Sequence, residues 1–94
     1  MRDKTTDGKV TSRLVLAAYQ VIREQGQAAP DEDGVRELDG LTASGDFDGY
    51  TVIVSDGLVT VRALFHNQLD IQAPDGRALE NFLKRLRRVA AGRH

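Results

Sequence analysis

At 94 residues, 40% hydrophobic, 29% charged and 5% aromatic, the chain has the composition of one globular domain and not of a disordered one. The absence of cysteine excludes disulfides, thiolate zinc sites and thiol nucleophiles, and no stretch approaches the roughly 18 apolar residues of a membrane helix. The net charge of −1 hides an asymmetry: residues 30 to 56 carry eight acids against Arg36, whereas residues 75 to 94 carry six bases against Asp75 and Glu80.

Residues 1 to 9 are polar, with Asp7-Gly8 as a breaker, and are expected to be a disordered tail on a single domain of residues 10 to 92. The charged start, Met1-Arg2-Asp3-Lys4, is not followed by an apolar run of signal-peptide length, so a cytoplasmic protein without membrane contact is expected. Thr11 then suits a helix N-cap, and Val10 before it with Val15 at the fourth helical position forms a candidate hydrophobic staple. Leu14, Ala18, Val21 and Ile22, with Val15 and Tyr19 beside them, recur at helical spacing and give one core-facing stripe. Gly26 is expected to end this helix in the left-handed conformation.

Residues 27 to 35, with Pro30, Asp33-Gly34 and three acids, read as a surface loop. Glu37 to Ala43 reads as an edge strand with Leu41 and Ala43 on one face, weakened by Gly40. Ser44 to Gly49 loops into the next strand, with Phe47 tucked against the core.

Three strands follow. Tyr50 to Ser55 and Leu58 to Phe65 are rich in β-branched and aromatic residues, and Asp56-Gly57 between them predicts a two-residue hairpin turn. That turn pairs Val54 with Val59, Val52 with Val61 and Tyr50 with Ala63. A three-residue turn, His66-Asn67-Gln68, then pairs Phe65 with Leu69, Ala63 with Ile71 and Val61 with Ala73, which keeps one face apolar. The reverse face carries Ile53, Leu58 and Leu64 with Thr51 and Thr60, and places Asp70 and Gln72 near Arg62.

Pro74 stops the last strand and Asp75 is a suitable N-cap. Leu79, Phe82, Leu83, Leu86 and Val89 or Ala90 make a second helical stripe, Glu80 and Lys84 sit four apart as an ion pair, and Gly92 ends the helix. The order α-β-β-β-β-α, with one apolar sheet face and two amphipathic helices, implies an α+β two-layer sandwich in which both helices cover the same face of an antiparallel meander.

No pattern points to catalysis. His66 stands at a hairpin tip without an orienting carboxylate or a nucleophile beside it, and there is no nucleophile elbow, phosphate-cradling glycine loop or His-rich metal spacing. A non-catalytic protein without a cofactor is therefore expected. Ser44 to Gly49 contains Asp-x-Asp-Gly, the middle of an EF-hand loop, but Ser44 and Ser55 occupy its first and twelfth positions and a strand follows in place of a helix. No metal site is assigned there, and Asp48-Gly49 reads as a strand-entry turn, one of six Asp-Gly pairs in the chain.

Two surfaces remain as candidates. Ile53, Leu58, Thr60, Arg62 and Leu64 make a partly apolar patch on the open sheet face, a candidate protein interface that includes contact with a second copy. Lys84, Arg85, Arg87 and Arg88 form a basic face on the last helix, a candidate nucleic-acid contact. Against the second, Lys84 and Arg88 lie opposite the apolar stripe as any solvated cations would, the net charge is slightly acidic, and exposed aromatics for base stacking are not evident. Protein association is the expected partner class, ahead of nucleic acid.

The stretch Ala43-Ser44-Gly45-Asp46-Phe47-Asp48-Gly49-Tyr50-Thr51-Val52, together with Leu64-Phe65-His66-Asn67, resembles a family of small gammaproteobacterial proteins catalogued only as a domain of unknown function. The resemblance runs from the first helix to the last. It implies a bacterial cytosolic protein and supplies no activity, cofactor or site residue.

Overall fold

Each helix begins where the sequence offers a side-chain oxygen to the first free amides. In the computed structural model, which describes residues 10–29, 34–45, 51–64 and 68–92, Thr11 Oγ1 accepts from the Leu14 amide at 3.1 Å and opens α1 (Ser12–Gln25). Asp75 Oδ1 accepts from the Ala78 amide at 2.8 Å and opens α2 (Gly76–Ala90). Val10 and Val15 are both buried at the start of α1, as a staple requires. Gly92, at φ 78° and with its amide on the Val89 carbonyl at 3.0 Å, closes α2.

Gly26 does not close α1 in the left-handed way expected. It is extended, with φ −79° and ψ 173°, because the chain runs straight from the helix into a strand. Glycine is required there for space: a Cβ would lie 2.5 Å from the Ile22 carbonyl oxygen and 2.6 Å from that of Glu37.

The stretch read as one loop and one edge strand contains three short strands, β1 (Gln27–Ala28), β2 (Arg36–Leu38) and β3 (Leu41–Gly45), the last of which takes in Ser44 and Gly45, expected in the loop that follows. Ala28 lies opposite Arg36, and Leu38 opposite Leu41. Between β2 and β3, Asp39 and Gly40 have φ of 52° and 80°, the positive pair that defines a type I′ hairpin turn. Gly40 therefore does not weaken a strand over 37–43; it divides that stretch into two paired strands.

At Asp56-Gly57 the same dipeptide makes a wider loop. In β4 (Val52–Ser55) and β5 (Thr60–Leu64), Ser55 pairs with Thr60, Val54 with Val61 and Val52 with Ala63, so the loop holds residues 56 to 59 and the register moves by two. Asp56 Oδ1 accepts from the Leu58 amide at 2.9 Å and the Val59 amide at 2.8 Å, and Ser55 Oγ accepts from the Gly57 amide at 3.1 Å. A carboxylate that satisfies two loop amides favours this wider loop over a two-residue turn. The last hairpin shifts by two as well: β6 (Gln68–Gln72) pairs Gln68 with Leu64, Leu69 with Ala63 and Ile71 with Val61. A shift of two preserves side-chain parity, so the apolar residues that remain in the strands stay on their expected faces. Residues 1–9, Phe47, Tyr50, Phe65, His66 and Asn67 lie outside the described residues.

The six strands run in chain order, each antiparallel to the next. Leu41, Ala43, Val54, Val61 and Ala63 are buried against Val15, Ala18 and Ile22 of α1 and Phe82, Leu83, Leu86 and Val89 of α2. The α+β sandwich, an antiparallel meander with both helices on one face, is thus the architecture that the sequence implies, with six strands in place of four. The covering layer thins at β6, where Ile71 is 40% exposed although its partner Val61 is fully buried.

Candidate functional site

Cross-strand pairing lays the reverse face of the sheet out in rows. One row runs Thr42, Ser55, Thr60, Gln72; the next runs Ser44, Ile53, Arg62, Asp70; Leu64 and Gln68 begin a third. The first row is tied together by its own hydroxyls, Ser55 Oγ lying 3.2 Å from Thr60 Oγ1 and Thr42 Oγ1 donating to the Ser55 carbonyl at 3.3 Å. In the second, Arg62 and Asp70 stand directly opposite each other, so the face carries little net charge. Ile53 and Leu64 are diagonal neighbours across β4 and β5, each half-buried.

Of the interface residues expected, Ile53, Thr60, Arg62 and Leu64 therefore share one surface. Leu58 does not. The register change moves it into the β4–β5 loop, where it is 68% exposed, away from the sheet face. Thr51, expected beside Ile53, is buried.

The four basic residues expected as a contact have different surroundings, and Arg88 belongs to both of them. Arg85 rests on the β2–β3 turn, so closely that a Cβ at Gly40 would lie 2.8 Å from its Nη1. Arg88 Nη1 lies 3.8 Å from Asp39 Oδ2 in the same turn. Both cations therefore lie over the hairpin turn, Arg88 through a long and largely exposed ion pair. Lys84, Arg87 and Arg88 line a surface depression of about 550 Å³ with Ala91.

Sequence reasoning missed a second cleft, of about 320 Å³, lined by Arg23, Ala28, Gly34, Val35 and Arg36 at the C-terminal end of α1. Its signal in the sequence was slight: Arg36 is the one base in the acidic stretch from 30 to 56. Among the described residues no three acids or histidines cluster as metal ligands, and Asp46, Asp48 and His66 lie outside them. No described helix is long and apolar enough to cross a membrane.

Compared with known families, residues 10–94 match one described as a protein of unknown function, DUF3081. No curated protein and no solved structure matches the chain.

Proposed function

Because the chain belongs to the DUF3081 family, whose function is unknown, we propose a function from its surfaces: a non-catalytic interaction or regulatory module of the bacterial cytoplasm that binds a protein, here a second copy, through its open sheet face. One observation carries the reading. Both helices lie on one side of the sheet, and Ile53 and Leu64 remain on the other, in a frame of hydroxyl side chains and the opposed Arg62 and Asp70. An antiparallel sheet packed on one side normally turns polar residues outward on the other. Two apolar neighbours there are what a contact with another protein explains.

Light scattering on size-separated protein over an about tenfold concentration range tests this. A mass near twice 10.3 kDa is expected, returning to the monomer value in Ile53→Lys or Leu64→Lys while circular dichroism stays folded. Association that survives both substitutions would discard this face, and a monomer throughout would discard the homodimer.

A second reading, nucleic-acid binding through α2, is favoured by the depression that Lys84, Arg87 and Arg88 share. Arg85 and Arg88 lie over the Asp39-Gly40 turn, so reversing them would set carboxylates beside Asp39 and change that contact together with any binding. Lys84→Glu with Arg87→Glu is the cleaner test. This reading expects the pair to abolish a salt-sensitive affinity for RNA or DNA, and it fails if the unsubstituted protein has none.

A further inference from the structure

We propose that the cleft at the end of α1 binds an oxyanion, the phosphate or carboxylate group of a small molecule, between Arg23 and Arg36. Pairing of β2 with β1 and β3 places Arg36 opposite Ala28 and the buried Ala43, on the helix side of the sheet near its edge. Its Nη2 donates to the Gly26 carbonyl at 2.8 Å, which fixes the guanidinium beside the helix end. Its Nε is buried and has no acceptor. Arg23 is fixed from the other element: Nη1 donates to the Tyr19 hydroxyl at 2.9 Å, and the guanidinium carbon lies 5.7 Å from the Tyr19 ring centroid.

Two positioned guanidiniums thus line one cleft, and among the described residues neither meets a carboxylate. Like charges brought together are unfavourable unless a counter-charge lies between them. An oxyanion supplies that counter-charge. Its oxygens accept from the remaining donors of the two forks in the charge-assisted, bidentate geometry for which arginine is suited. The C-terminal end of a helix repels anions, and the bond from Arg36 to the Gly26 carbonyl offsets part of that repulsion. At about 320 Å³ the cleft takes the anionic group and part of the molecule that bears it. This site is on the helix side of the sheet and stands independently of the open-face contact.

The sequence also puts Asp31, Glu32 and Asp33 between the lining residues Ala28 and Gly34, so the experiment must separate an outside anion from the chain's own acids. Arginine Nε–H signals of the full chain are followed by two-dimensional nitrogen–proton spectroscopy, with inorganic phosphate and then succinate added to about 20 mM at constant ionic strength. The Arg36 and Arg23 signals are expected to move together and saturate for at least one of the two anions, and the tighter one identifies the class. Arg23→Gln, which leaves the Arg36 to Gly26 bond intact, is expected to weaken that affinity about fivefold or more with an unchanged melting curve. The proposal is overturned if no saturation occurs, if all arginines shift alike, or if Arg23→Gln titrates as the unsubstituted chain does. It is also overturned if only Asp31→Asn with Glu32→Gln and Asp33→Asn moves the Arg36 signal, since the cations would then serve that loop.

Discussion

A methyl group added at Gly26 would sit 2.5 Å and 2.6 Å from two carbonyl oxygens, and both are main-chain atoms that no rotamer change can move. Gly26→Ala is therefore expected to cost about 2–3 kcal/mol, the range of overpacking. At Gly57 nothing lies within 4 Å, but φ is 96°, so Gly57→Ala loses only the conformational term, about 1 kcal/mol. Gly76 has neither constraint and opens α2, where alanine is favoured by about 0.5 kcal/mol. Urea midpoints should rank the variants in that order; equal losses at Gly26 and Gly57 would show that the backbone around Gly26 yields. The sequence marked Gly26 as a helix end and misjudged why. Glycine serves either a positive φ or a close approach, and the residue that decides, Glu37, comes near only in the folded chain.

Three Asp-Gly pairs do three different jobs among the elements: a type I′ turn at Asp39-Gly40, a four-residue loop at Asp56-Gly57, and an N-cap with the first helical residue at Asp75-Gly76. The second and third were legible as boundaries, whereas Asp39-Gly40 reads in the sequence as the weak middle of one strand. The turn types were not legible, because two-residue and four-residue loops both return the apolar residues to the same face, and periodicity is blind to a shift of two. That blindness left the sheet architecture intact and sent Leu58 to the wrong place. The deciding interaction at the second pair is the Asp56 carboxylate, so Asp56→Ala is expected to cost about 1–2 kcal/mol by stranding two loop amides. Asp39→Asn keeps a residue that tolerates positive φ and gives up only a long, solvent-exposed ion pair with Arg88, a loss below about 0.5 kcal/mol. Chemical denaturation of both variants checks the contrast. A larger loss at Asp39 would assign real stabilising weight to the contact between α2 and the β2–β3 turn.

Over the whole molecule, alternation along the strands was enough to find the open face with Ile53, Arg62 and Leu64, because parity survives an error in register. The arginine cleft could not be found that way. Arg23 is on a helix and Arg36 on a strand, and only the tight passage through Gly26 brings them to one cleft. The same tertiary view shows where the core ends. Val61 and Ile71 are direct partners on the helix side, yet one is fully buried and the other 40% exposed, while Leu69 still packs against the core, so the helical cover thins along β6 towards Ile71. Val61→Ala is accordingly expected to cost about 2 kcal/mol, and Ile71→Ala less than about 1 kcal/mol. Amide exchange in β4 and β5 should require global unfolding, while β6, at the sheet edge, should exchange through local opening. If Ile71→Ala proves as costly as Val61→Ala and β6 exchanges as slowly as β5, then β6 is covered in solution by something other than the two helices. The exchange rates would then depend on protein concentration if that cover is a second copy, and would be independent of it if the cover belongs to the same chain.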